Sequence, residues 1–389
     1  MKKTIIVNNG STSKKYAFYN DREYLFFCHY EETPDGFIVN EKFKEVSKEQ
    51  KIDKETFHSS FSNFIDKLLE YQLIDSEDDI NAIAIRIVAP GIYFQDHKII
   101  DEEYLLKLDD VYNLSPLHLK PVKDELFNIK ERLGDIKIVG ISDSAFHKNL
   151  PEVAKIYAFP KEIVKKNQLY RYGYHGISVN SVYDKFVQKY GNTSKIIICH
   201  LGGGSSVTAI KDGKSIETSM GFSPLEGMPM ASRVGSADPN ALIAVMESED
   251  FDTKELQEFL YKECGVKAIS GISADTRVLI EEAQKGNHDA NLALDFFAYN
   301  LQKNIGAYYA VLGGLDALIF TGTIGERSAE MRRRILEKLE VFGLKVDHSK
   351  NKITINGEGL IQDTNSVTKI AILKTAEIEK MAEIAFDIV

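Results

Sequence analysis

The chain has 389 residues, 43% of them hydrophobic, and a formal net charge of -10. That length suits about two domains at roughly 150 residues each. The acidic balance argues against nucleic acid as a partner, while a small anion stays open because a local cationic pocket can sit on an acidic protein.

The start, Met1-Lys2-Lys3-Thr4-Ile5, shows no signal peptide, and no stretch is long and apolar enough to span a bilayer. The three cysteines, Cys28, Cys199 and Cys264, have neither metal spacing nor even pairing, which fits a reducing cytoplasm. Along the chain, Thr4–Val7 and Tyr16–Tyr19 are β-type runs around the polar turn Asn8-Asn9-Gly10-Ser11-Thr12-Ser13-Lys14-Lys15. Residues 23–29 and 81–88 read as strands. Residues 55–71 carry helical periodicity through Phe57, Phe61, Phe64, Ile65, Leu68 and Leu69. A buried strand over 136–141 leads to Asp143. Strand, turn and strand recur around Leu201-Gly202-Gly203-Gly204-Ser205-Ser206. Helical patterns cover 288–312 and 328–342, and between them the strand Ala317–Phe320 ends in a third glycine turn at 321–326. Strand 368–373 and helix 376–387 close the chain, and the alternation defines an α/β protein.

Glycine lets backbone N–H groups approach an anion closely, and serine hydroxyls add donors. The P-loop pattern ending in Gly-Lys-Ser/Thr is absent. The dinucleotide fingerprint also fails, because a strand rather than a helix follows Gly204. Three glycine turns on β-units are characteristic of the sugar kinase, heat-shock 70 and actin superfold. A single such turn is ordinary hairpin geometry.

Over essentially its whole length the chain resembles the acetate kinase family of short-chain acyl kinases. The most specific segments are Thr218-Ser219-Met220-Gly221-Phe222-Ser223-Pro224-Leu225-Glu226-Gly227 and Tyr172-Gly173-Tyr174-His175-Gly176. Arg86-Ile87-Val88, Ser115-Pro116-Leu117-His118, Asp143–His147, Arg233–Pro239 and Ser270–Arg277 match in order. The resemblance implies two ribonuclease H-like domains with a cleft between them, residues 1–142 plus 379–389 and residues 143–378, and a homodimer through the second. It implies reversible, direct phosphoryl transfer from ATP to acetate, with magnesium. Both reactants are anions, so such a site must supply cations and alignment, and the carboxylate needs no strong base.

By the same resemblance Asp143, His175 and Arg233 are catalytic, and Arg86, Val88, Leu117, His118, Tyr174 and Pro224 bind the acyl substrate. Lys15, His200, Leu201, Gly202, Gly203, Gly204, Asp275, Thr276, Arg277, Thr323, Ile324, Gly325, Glu326 and Arg327 serve the nucleotide. Asn8 and Glu377 hold the metal. The residues also have plain readings: ion pairs for the arginines, a cap for Asp143, a dipole partner for Glu377 and core packing for the pocket residues. The family's usual residues are replaced at Ala89-Pro90, Leu119, Gly203, Tyr174, Thr323 and Ser236-Ala237. These departures leave open propionate or butyrate as substrate, pyrophosphate as donor, or a nucleotide-binding regulatory protein with little turnover. Tyr174 adds a hydroxyl to an expected methyl pocket, and its loss is expected to leave acetate activity intact.

Overall fold

A computed structural model describes residues 2–10, 12–33 and 35–389. Ser11, in the first glycine turn, lies outside the described residues. The chain forms two compact units, Met1–Ala145 with Ala376–Val389, and Phe146–Thr375. The whole last helix, Glu377–Phe386, belongs to the first unit, so Glu377 lies there.

Among the described residues the first unit holds an eight-stranded sheet. Its spatial order is Val46–Ile52, Gly36–Phe43, Glu23–Thr33, Ser13–Asn20, Lys3–Asn9, Ile80–Ile87, Lys137–Ser142 and Lys98–Ile99. The first five strands form an antiparallel meander, and Lys3–Asn9, Ile80–Ile87 and Lys137–Ser142 run parallel. These parallel strands read as apolar runs because both faces are covered. The second unit repeats the plan with six strands: Lys214–Thr218, Ser205–Lys211, Lys195–Leu201, Ala317–Thr321, Lys369–Ile372 and Gly359–Leu360. Again an antiparallel meander feeds parallel strands, here Lys195–Leu201, Ala317–Thr321 and Lys369–Ile372. This doubled α/β topology is that of the sugar kinase, heat-shock 70 and actin superfold.

Each unit has its own core. In the first, helix Ser60–Glu70 buries Phe61, Phe64, Ile65 and Leu68. The Phe64 ring stacks 5.3 Å from Tyr16 and 5.5 Å from Phe26. Burial of such a ring is worth about 1.5–3 kcal/mol. The expected helix over 55–71 is two helices, Lys54–His58 and Ser60–Glu70, divided at Ser59. In the second unit helix His288–Leu312 covers one sheet face with Ala293, Leu294, Phe297, Leu301 and Ile305. The helical pattern over 328–342 shortens to helix Ala329–Leu336 followed by a 3-10 turn, Glu340–Phe342.

The third glycine turn is a correction. Gly322–Arg327 is a short helix entered at Thr321, not an open turn. Gly322 makes the entry possible with a φ of +77°, and a side chain there would strike the Leu201 backbone 2.6 Å away. No helix among the described residues is long and apolar enough to cross a membrane.

Candidate active site

In an open α/β sheet, ligand-binding groups gather beyond the carboxyl ends of the parallel strands. The first unit follows that rule. Asn8 ends strand Lys3–Asn9, Arg86 lies near the end of Ile80–Ile87, and Asp143 follows Lys137–Ser142. Parallel pairing of Val7 with Ile85, and of Arg86 with Ile141, sets these three ends side by side.

The side chains form one polar chain. Arg86 donates Nε to Asp143 Oδ1 at 3.2 Å and Nη2 to Oδ2 at 2.9 Å. This is the fork-on-carboxylate geometry that lysine cannot supply. Arg86 Nη1 reaches Asn8 Oδ1 at 3.4 Å, and Asn8 Nδ2 donates to Glu377 Oε2 at 2.8 Å. Glu377 arrives on the first turn of the last helix. Burial alone would lower the Arg86 pKa, but the charges of Asp143 and Glu377 outweigh it and raise the pKa above its ordinary value. Asp143 therefore acts here as the anchor of Arg86; it is 1% exposed and its backbone N–H is bonded to Ile87 O.

Lys15 stands directly opposite Asn8 in the antiparallel pair, which places both on one face of the sheet. Val88 follows the Arg86 strand and is 9% exposed. Leu117 and His118 open helix Pro116–Leu133, with Pro116 in the first helical position, where a missing N–H costs nothing. Both are partly buried.

The second unit carries the glycine turn between Lys195–Leu201 and Ser205–Lys211. Its three glycines replace side chains with backbone, and Gly203 is exposed. Gly204 marks where two polar side chains meet. A Cβ built on it would lie 3.2 Å from His175 Nε2 and 3.6 Å from Arg233 Nη1. The imidazole and the guanidinium thus converge on one backbone position, although 58 residues separate them in sequence (233 less 175).

His175 is the residue preceding helix Gly176–Tyr190, with φ +61°, a left-handed conformation that costs a non-glycine residue energy and that tends to occur at functional sites. Its Nδ1 bonds Ser206 Oγ at 3.0 Å, leaving Nε2 on the Gly204 side. The ring lies 4.4 Å from that of His200. His200 Nδ1 is bonded to Ser178 Oγ at 2.8 Å, and Thr375 Oγ1 donates to Ser178 Oγ at 2.9 Å. Arg233 Nη1 donates to Pro224 O at 3.2 Å, and its guanidinium lies 5.6 Å from the centre of the Tyr261 ring.

The remaining expected residues divide. Leu201 is fully buried in the core and can contribute only backbone to a ligand. Thr323 approaches the glycine turn, its Oγ1 3.4 Å from a Cβ built on Gly202. Gly325 is buried, Ile324 partly buried, and Arg327 exposed. The Glu326 carboxylate accepts from Gly322 N at 3.0 Å and from Thr375 N at 3.4 Å, so it caps its own helix. Asp275 caps helix Thr276–Gln284 through Arg277 N at 2.8 Å and pairs with Arg277 Nη2 at 2.6 Å. Arg277 is thus engaged with Asp275 rather than with the glycine turn. Tyr174 corrects the sequence expectation. Its hydroxyl does not hang in a methyl pocket; it donates to Phe222 O at 2.7 Å.

Ser206 was named from sequence as part of the glycine turn, whose serine hydroxyls add donors. Ser178, Thr375 and Tyr157 were not singled out; they work through partners distant in the chain, which periodicity does not encode.

A doubled α/β fold, a backbone-lined glycine turn and an imidazole and a guanidinium converging on it define a phosphotransferase acting on anionic partners. The Acetokinase family model matches residues 3–383. The chain is 37% identical over 385 residues to an acetate kinase of Methanosarcina mazei, covering 96% of this chain and 94% of that one. It superposes on a crystal structure of Porphyromonas gingivalis acetate kinase with a TM-score of 0.84, 30% identity and full coverage of both chains. It also superposes on a propionate kinase of Francisella tularensis with a TM-score of 0.89, 31% identity and 98% coverage of each. The chain belongs to the acetokinase family, and it is a kinase that acts on acetate.

Proposed function

We propose that phosphoryl transfer between ATP and acetate is direct. The convergence of His175 and Arg233 on Gly204 carries this reading. Both can donate to equatorial oxygens of a phosphoryl group whose charge redistributes during transfer. Residues 200–204 cradle the nucleotide phosphates through backbone N–H groups, with Thr323 beside them. Asp275, Thr276, Arg277 and the helix 323–327 serve the adenosine end, which requires Arg277 to exchange its contact with Asp275 or share it. In the first unit Arg86, fixed by Asp143, takes the carboxylate, and Val88, Leu117 and His118 bound the acyl group. Tyr174 and Pro224 are further apolar candidates for the acyl substrate, and Lys15 adds charge for phosphate.

The donor types of Asn8 and Glu377, one amide oxygen and one carboxylate, suit magnesium; Asn8 Nδ2 lies 2.8 Å from Glu377 Oε2, and Asn8 Oδ1 accepts from Arg86 Nη1 at 3.4 Å. Magnesium takes few protein ligands and keeps several waters. The ion when bound would neutralise phosphate charge. The chain's own residues orient the carboxylate through Arg86 and bind the phosphates through the glycine turn.

A hydroxylamine trap for acyl phosphate tests the reaction. With ATP, magnesium and acetate, hydroxamate should accumulate. Propionate should also react at reduced efficiency, because one methylene changes discrimination by only about 1–3 kcal/mol. Likeness to a propionate kinase favours this second substrate. No hydroxamate with acetate, propionate or butyrate would sink the enzyme reading in favour of a regulatory binder. Product formed with pyrophosphate and not with ATP would overturn the donor.

We also propose a homodimer through the second unit in the cytoplasm. Helix Pro239–Ser248 is apolar through Leu242, Ile243, Ala244, Val245 and Met246, yet buries no residue. Leu292, Phe296 and Tyr299 are likewise exposed at helical spacing. Sedimentation equilibrium should give twice the chain mass of 43.8 kDa, and Ile243→Glu should shift it to one. A wild-type monomer would refute the dimer.

A further inference from the structure

We infer that Tyr157 and Tyr174 are positioning residues for the reaction, clamping the Phe222 backbone from both sides and thereby setting the Arg233 guanidinium. The inference rests on the reading of Arg233 as the group that stabilises transferred charge.

Phe222 lies in the loop between strand Lys214–Thr218 and Arg233. Its carbonyl accepts from the Tyr174 hydroxyl at 2.7 Å, and its N–H donates to the Tyr157 oxygen at 2.8 Å. The Tyr157 proton goes to the Glu226 carboxylate, so its oxygen lone pair is what receives Phe222 N–H. Burial first, and the Glu226 charge second, raise the Tyr157 pKa and keep that proton in place. Glu226 is held in turn by Arg171 Nη1 at 2.6 Å, and Arg171 Nη2 donates to Thr218 O at 2.7 Å. The clamp is therefore tied back to the strand from which the loop leaves.

Two residues beyond Phe222, the Pro224 carbonyl accepts from Arg233 Nη1 at 3.2 Å. The position of that carbonyl depends on the clamped peptides before it. Close approach is built in: any side chain on Gly221 would overlap the Glu226 carboxylate and the Tyr157 hydroxyl. Tyr174, only 1% exposed, thus spends its hydroxyl on the loop rather than on a substrate.

The test uses Tyr157→Phe and Tyr174→Phe, singly and together, in the wild-type and in an Arg233→Ala background. Each change removes one oxygen, and thermal unfolding confirms that every variant is folded at the assay temperature. In the wild-type background each single variant should lower kcat about five- to tenfold, the effect of about one hydrogen bond, with nucleotide KM within about twofold. The double variant should lose less than the product of the singles, since both act on one loop. In the Arg233→Ala background Tyr157→Phe should leave residual hydroxamate formation unchanged. A general structural defect would lower activity equally in both backgrounds and would overturn the clamp, as would unchanged kcat in the single variants. Full activity of Arg233→Ala alone would instead refute the role of Arg233, a separate result.

Discussion

Arg233→Ala should lower kcat about thousandfold while nucleotide KM changes by no more than about twofold, because a cation acting on charge that develops during transfer contributes little to ground-state binding. The geometry sets this expectation. The Pro224 carbonyl and the Tyr261 ring hold the guanidinium in place. Arg86 faces the Asp143 carboxylate through two bonds, and its own removal should show more strongly in acetate KM. Steady-state kinetics of Arg233→Ala with both substrates varied would check the split. A loss carried mainly in nucleotide KM would mean that Arg233 binds ATP uniformly and does not distinguish the transition state.

Arg332→Ala should destabilise the second unit by about 3–5 kcal/mol. Arg332 is fully buried and carries its charge among neutral oxygens. Nε donates to Asn351 Oδ1 at 2.7 Å, Nη1 to Gly325 O at 2.8 Å, and Nη2 to Asn351 O at 2.8 Å and Thr354 O at 3.0 Å. Burial lowers its pKa to about 10, still well above neutrality, so the fork stays charged. Truncation leaves those acceptors buried and opens a void. Lysine keeps the charge but cannot span the four oxygens, so Arg332→Lys should recover less than half of the loss. Urea unfolding would measure both, and a change below about 1 kcal/mol for alanine would show that water or neighbouring groups replace the fork.

What the sequence disclosed follows from locality. Arg86 and Asp143 were legible because apolar runs deliver them to strand ends, where an α/β sheet puts its chemistry. The turn at 202–204 was legible because three glycines between two apolar runs have few other uses. The edge hairpin Gly36–Phe43 and Val46–Ile52 was missed. Its second strand, Val-Ser-Lys-Glu-Gln-Lys-Ile, has no buried residue and so no apolar alternation. Thr321–Glu326 was misread as a turn because Gly322 and Gly325 mask a helix whose cap is the Glu326 carboxylate. The Tyr174 hydroxyl was misjudged for a different reason. Its acceptor is a backbone carbonyl 48 residues away, and no side-chain pattern reports that pairing. The family resemblance supplied residue roles that periodicity alone could not.

The last helix has a consequence for biosynthesis. Glu377–Phe386 packs against the three parallel strands Lys3–Asn9, Ile80–Ile87 and Lys137–Ser142, burying Met381, Ala382 and Ala385. Domains generally fold as units, N-terminal first, as the ribosome extends the chain. Here the earliest strands must wait, one sheet face bare, until some 230 intervening residues (146 to 375) have been translated. The carboxylate proposed for the ion is delivered by that same closing element, so a nascent chain acquires this second proposed ligand, after Asn8, only when the last helix is made.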